Sequence, residues 1–117
     1  PSNGDRTVIS SSGPEPRGTG PAYDLVSGLE IDSAGRRALV LAASGTLLSV
    51  DLGNGDRTAL SGVDLADPST VIGIGPRIRG YGPKLRADFA AGVAYVSVSD
   101  SLFVIDLATG QRAILSR

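Results

Sequence analysis

Cysteine, histidine, methionine and tryptophan are all absent from this 117-residue chain. Without cysteine there can be no disulfide, thiolate nucleophile or cysteine-ligated zinc or iron–sulfur centre. Without histidine the commonest general base and transition-metal ligand is gone as well. A serine nucleophile would have no imidazole to activate it, and no Gly-x-Ser-x-Gly elbow occurs. Long apolar runs are also lacking: none approaches the ~20 residues of a membrane span. The start Pro1-Ser2-Asn3-Gly4-Asp5-Arg6 is too polar for a signal peptide, so the sequence reads as that of a soluble chain. It has no initial methionine, so removal of an upstream segment, an export signal included, is compatible with it and the compartment stays open. Charge of one sign is missing too. Eleven basic residues against 12 acidic ones leave a formal charge of −1, dispersed along the chain, which argues against nucleic acid or an anionic membrane as a partner.

What is present is glycine, 16 residues, and proline, seven, beside only three tyrosines and two phenylalanines. With 41% apolar residues the chain can bury one core, which must be mainly aliphatic and interrupted by many turns. The expected fold class is all-β.

An internal repeat organises the sequence. Asn3-Gly4-Asp5-Arg6-Thr7-Val8-Ile9-Ser10 returns as Asn54-Gly55-Asp56-Arg57-Thr58-Ala59-Leu60-Ser61 and again as Thr109-Gly110-Gln111-Arg112-Ala113-Ile114-Leu115-Ser116. Between these, Gly18-Thr19-Gly20-Pro21 matches Gly73-Ile74-Gly75-Pro76, and Val50-Asp51-Leu52 matches Ile105-Asp106-Leu107. A period of ~50 residues, filled with short strands rather than 3.6-residue apolar spacing, is that of propeller blades. Each unit divides into four strands. In the first they are Gly28 to Asp32, Arg37 to Ala43, Thr46 to Leu52 and Asp56 to Ser61; in the second, Leu85 to Phe89, Val93 to Val98, Leu102 to Leu107 and Gln111 to Ser116. The segments between units, Ser11 to Ser27 and Gly62 to Lys84, read as long loops, and long loops tend to be functional or mobile.

The stretches "GLEID", "GRRALVL", "LLSVDLGNGDRTALS" and "VAYVSVSDSLFVIDLATGQRAILS", with "GTGP" and "GIGP" between strands, resemble bacterial β-propellers of the NHL and gluconolactonase-like (SMP-30-like) superfamily. The resemblance implies two four-stranded blades, repeats of about 11–61 and 62–116, with residues 3–10 as the outer strand of a preceding or neighbouring blade, all part of a six-bladed ring. It also implies that first strands line a central channel and that interblade loops form a binding face. Some members of the superfamily are lactonases or lyases that use an acid-rich calcium channel or a catalytic histidine, and the histidine is absent here.

Two blades cannot close a ring, so the chain is expected either to be a stretch of a longer propeller or to assemble with copies of itself, a trimer completing six blades. Residues such as Leu39, Leu41, Leu48, Val50, Tyr95, Phe103 and Ile105 are expected on blade faces, one face of each blade meeting water in a monomer.

Candidate chemistry is sparse. Glu30, Asp32 and Asp88 lie on or beside first strands, where carboxylates could hold calcium, but an Asp before Ser-Ala-Gly or Ala-Ala-Gly is what a turn requires, so no cofactor is expected. Asp51 and Asp106 recur at one hairpin position and read as structural. Arg6, Arg57 and Arg112 recur in outer strands and read as cover for a sheet edge, and Arg36-Arg37 as a solvated turn pair. The cluster that does not repeat is Arg77-Ile78-Arg79-Gly80-Tyr81-Gly82-Pro83-Lys84. Arg77, Arg79 and Tyr81 in this glycine-rich loop suit a carboxylate, a phosphate or a protein partner, and they are the candidate ligand-binding residues. No catalytic set converges. The expected role is a propeller scaffold presenting interblade loops; the alternatives are a metal-dependent hydrolase of the gluconolactonase kind and a purely structural assembly module.

Overall fold

The computed structural model describes residues 9–10, 18–20, 26–64, 67–79 and 82–116. The expected outer strand over 3–10 therefore lies, apart from Ile9 and Ser10, outside the described residues. The fold is all-β. Nine strands follow in order: β1 Val26–Asp32, β2 Arg37–Ala42, β3 Leu47–Asp51, β4 Arg57–Asp64, β5 Asp67–Ile72, β6 Lys84–Asp88, β7 Val93–Val98, β8 Ser101–Asp106 and β9 Arg112–Ser116. They form two antiparallel meanders, a five-stranded sheet ordered β1-β2-β3-β4-β5 and a four-stranded sheet ordered β6-β7-β8-β9. Among the described residues no helix is long and apolar enough to cross a membrane.

The first sheet has one strand more than the sequence suggests. β4 does not stop at Ser61: its first part pairs with β3, and beyond a bend at Gly62 (φ 102°) it pairs with β5 through Gly62↔Ile72 and Val63↔Val71. Part of the segment read as a loop from Gly62 to Lys84 is thus the edge strand β5. Its sequence, Asp67-Pro68-Ser69-Thr70-Val71-Ile72, lacks apolar alternation, and the continuation of β4 supplies the pairing partner instead.

Equivalent turns are built by equivalent residues. Asp32 Oδ1 accepts a hydrogen bond from Gly35 N (3.0 Å) after β1, as Asp88 Oδ1 does from Ala91 N (3.1 Å) after β6. At the outer hairpins Asp51 Oδ1 accepts from Gly53 N (2.6 Å) and Asn54 N (3.3 Å), and Asp106 Oδ1 from Ala108 N (2.8 Å) and Thr109 N (3.3 Å). These Asx turns orient the chain before Gly55 (φ 79°) and Gly110 (φ 76°) reverse it.

The two sheets pack face to face. Leu39, Leu41 and Leu47 of the first sheet meet Leu85, Val96, Val98, Phe103 and Ile105 of the second in one aliphatic core. Ala38, Val40 and Val50, on the opposite face of the first sheet, form a smaller buried cluster with Leu52 beside it. Of the residues expected on blade faces, one face of each blade meeting water in a monomer, Leu39, Leu41, Leu48, Val50, Phe103 and Ile105 are all buried within one chain. Of the residues expected there only Tyr95 is exposed, at 38%. Among the described residues apolar exposure lies at Leu29 (57%) and Ile31 (52%) on β1, and also at Ile9, Val26, Val71, Ile74 and Leu115.

Candidate functional site

The segment carrying the candidate arginines is positioned from below by Arg112. Its guanidinium is buried and works as a fork. Nη1 donates to Ser61 Oγ (2.7 Å) and Ile72 O (2.9 Å), and more distantly to Gly110 O (3.4 Å). Nη2 donates to Gly75 O (3.1 Å) and Nε to Pro76 O (3.0 Å). Ser61 Oγ in turn donates to Gly110 O (2.6 Å), and Arg112 N donates to Ile74 O (2.7 Å). Burial lowers the pKa of this guanidinium from its ordinary value, since charge is disfavoured away from water. The connecting segment is thereby clamped between the outer strand of the first sheet and the hairpin of the second. The same clamp occurs one unit earlier. Ser10 Oγ donates to Gly55 O (2.7 Å), Arg57 Nη1 to Ser10 Oγ (2.7 Å), Arg57 Nη2 to Gly20 O (3.4 Å) and Arg57 N to Thr19 O (2.7 Å). Arg57 and Arg112 are therefore structural but not edge cover: they are buried, at 6% and 8% exposure, and hold carbonyls, while Arg6 lies outside the described residues.

The Gly-x-Gly-Pro pairs now have a physical reason. Gly73 (φ 76°) and Gly75 (φ 129°) press against the carbonyl oxygens of Gly110 and Arg112, and a Cβ on either would overlap those atoms. Any side chain here would push the connecting segment off the hairpin.

Beyond the clamp, Ile78 plugs into the core at 4% exposure, with its carbonyl against Gly45 of the β2–β3 turn. Arg77 and Arg79 flank that plug and are both exposed. Tyr81 lies outside the described residues. Two of the three sequence-picked residues are thus carried on one anchored segment, beside the β2–β3 turn. The cavity next to Arg79, lined also by Ala43, Pro83 and Val98, holds about 10 Å3, room for about one water. Arg77 and Arg79 give this segment two exposed guanidinium groups.

The acidic candidates are occupied with backbone. Asp32 caps its turn and pairs with Arg37 Nε at 3.3 Å, and Asp88 caps the equivalent turn. Glu30 Oε1 accepts a hydrogen bond from Ala87 N (3.1 Å), tying β1 to β6 across the two sheets. Among the described residues no three acidic side chains are grouped to hold a metal ion.

Sequence reasoning missed a second feature, at the other end of the strands. A cleft of about 280 Å3 lies on the first sheet, with Arg36, Arg37, Ser49, Asp51, Asp56 and Thr58 among its lining residues. Arg37 is not a solvated turn residue: it is half-buried, and its guanidinium lies 5.6 Å from the ring centroid of Phe89, in the turn that follows β6. The sequence did carry a signal for this cleft, because Arg36, Arg37, Ser49 and Thr58 break the repeat while Asp51 keeps it. Compared with models of known protein families and with curated proteins, the chain matches none of them.

Proposed function

We propose that the chain is a β-propeller scaffold module whose two sheets are consecutive blades, which presents its interblade loops, Arg77 and Arg79 among them, to a ligand or protein partner, and which further blades or copies of itself complete. The observation that carries this reading is the clamp. It occurs twice with the same atoms, and each time an arginine of one unit reaches the serine at the same repeat position one unit before it, Ser10 or Ser61. Ser116 ends β9 as Ser61 closes the β3-paired part of β4, opposite Leu102 as Ser61 is opposite Leu47, and it is exposed. A third unit would offer its arginine there. The exposed Leu29 and Ile31 lie opposite Val40 and Ala38, the register in which Leu85 and Ala87 lie opposite Val96 and Ala94. Leu85 is buried against the first sheet, so Leu29 and Ile31 await an equivalent cover.

The test is a chain extended by a second copy of residues 62–116 after Ser116. A third blade that docks gives one cooperative melt above that of the original chain. In the extended chain Ser116→Ala then lowers the melting temperature as Ser61→Ala does in the original, while Ser116→Ala in the original is silent. Two independent transitions, or a silent Ser116→Ala in the extended chain, would refute the reading.

A further inference from the structure

The repeat supplies an internal control for the cleft on the first sheet. Register aligns Arg37↔Asp51 with Val93↔Asp106, and Ser49↔Thr58 with Val104↔Ala113. The backbone aligns Arg36 with Gly92, since Leu52 N donates to Arg36 O (2.9 Å) as Leu107 N does to Gly92 O (2.9 Å). The second sheet therefore has Gly, Val, Val and Ala where the first has Arg, Arg, Ser and Thr. Exposure does not account for the difference. Arg37 and Val93 are both half-buried, as are Ser49 and Val104, and Thr58 and Ala113 are both exposed. A repeated scaffold keeps residues that the fold requires, so a polar set at positions that fold equally well with apolar residues has another job.

Arg36 sharpens the point. It sits at φ 51°, in the left-handed region where the second sheet uses Gly92 at φ 72°. A non-glycine residue there costs about 1 kcal/mol. The first sheet carries that cost with a guanidinium at the rim of the cleft.

The lining also has a polarity. Arg36 and Arg37 stand on the β1–β2 side. Arg37 gives Nε to Asp32 and has its terminal nitrogens left for a ligand. Asp51 and Asp56 stand on the β3–β4 hairpin side, each using Oδ1 for backbone N–H groups, of Gly53 and Asn54 and of Thr19 respectively, and keeping Oδ2. Arg37 and Asp51 are direct partners across β2 and β3, and the hydroxyl-bearing pair Ser49 and Thr58 lies two residues further along on β3 and β4. Guanidinium groups at the β2 side and carboxylates at the β3–β4 hairpin side, beside two hydroxyls, complement a molecule with a carboxylate at one end and an ammonium at the other. Arginine forks take the carboxylate, and aspartates take the ammonium. About 280 Å3 is near the lower end of the range for small-ligand sites. We propose that this cleft binds a small zwitterion of the amino-acid or short-peptide class.

The test uses the whole chain and proton–nitrogen NMR titration with diglycine, N-acetylglycine, glycinamide and glucose at millimolar concentration. Diglycine is expected to shift the amides of Ser49, Asp51 and Thr58 in a saturable way, with the two singly charged probes at least tenfold weaker and glucose without effect. Two variants borrow residues from the second sheet and so retain a sequence known to this fold: Ser49→Val with Thr58→Ala, and Arg36→Gly. Each should stay folded and lose the diglycine shifts, while the amides beside Arg77 and Arg79 stay unmoved throughout. Absence of saturable shifts, equal response to glucose, or unchanged binding in both folded variants would overturn the proposal.

Discussion

Replacing Arg112 by alanine is the most demanding test of how the units are joined. The guanidinium serves five acceptors, Ser61 Oγ and the carbonyls of Ile72, Gly75, Pro76 and Gly110. Alanine removes every guanidinium donor at once and leaves those carbonyls and the Ser61 hydroxyl without it. Breaking a buried charged network by deleting one partner costs about 3–5 kcal/mol, a large share of the ~5–15 kcal/mol that holds a small domain together. With a urea slope of about 1–3 kcal/mol per M, the unfolding midpoint should fall by about 2 M. Arg112→Lys separates charge from geometry. A lysine keeps the charge but has one ammonium head, which cannot span carbonyls on two sides of a planar fork, so it should recover less than half of the loss. The assay is urea unfolding followed by far-ultraviolet circular dichroism, with Ser61→Ala added to close a double-mutant cycle. Coupling between Arg112 and Ser61 should be about 1–2 kcal/mol. A loss below about 1 kcal/mol for Arg112→Ala, or a lysine variant as stable as the parent, would show that the clamp is incidental to stability.

Three further outcomes follow from the same geometry. Gly75→Ala should cost well over 2 kcal/mol, because its Cβ would overlap the Arg112 carbonyl, whereas Gly82→Ala, with nothing within 4 Å, should cost only about 1 kcal/mol from its positive φ; thermal melts of the pair decide, and equal losses would refute the close-packing argument. Glu30→Ala should speed hydrogen exchange at the Ala87 amide and lower stability by about 1 kcal/mol, while Glu30→Gln, which keeps an acceptor, should leave both nearly unchanged. Because Glu30, Asp32 and Asp88 are engaged by backbone N–H groups, stripping divalent metal should leave calorimetric melting unaltered, and a drop of several degrees recovered with calcium would overturn their assignment as turn and tether residues.

Much of the β architecture could be read from punctuation. Asp32, Asp51, Asp88 and Asp106 each precede a turn that they cap, and β7 runs over Val93–Val98 as its alternation predicts. β5 was hidden because its strand character comes from a neighbour: Gly62 lets β4 run on past Ser61, and a segment with a proline and several polar residues pairs with it. Burial of Arg57 and Arg112 was hidden for a similar reason. Their sequence spacing marks an outer strand, but the carbonyls that surround them arrive from the Gly-x-Gly-Pro segments some 37 residues away. The joint recurrence of Ser10 and Ser61 with those glycines and arginines was the legible trace of that contact. The cleft was legible only as departures from the repeat, at Arg36, Arg37, Ser49 and Thr58, of which the sequence reading singled out only Arg36 and Arg37, as a solvated turn pair.

The extra strand of the first sheet also bears on self-association. The backbone of an edge strand is a template for another chain, and proteins blunt such edges with prolines, bends and covering segments. On the first sheet the far part of β4 is paired by β5, whose second residue, Pro68, has no N–H to offer. Nothing comparable covers β9 among the described residues, and Ala113, Leu115 and Ser116 are exposed along it. The two ends of the molecule therefore differ in stickiness: intermolecular β-pairing, when the chain is crowded or warmed, should begin at Arg112–Ser116, and a lysine at Leu115 should delay aggregation more than one at Val71.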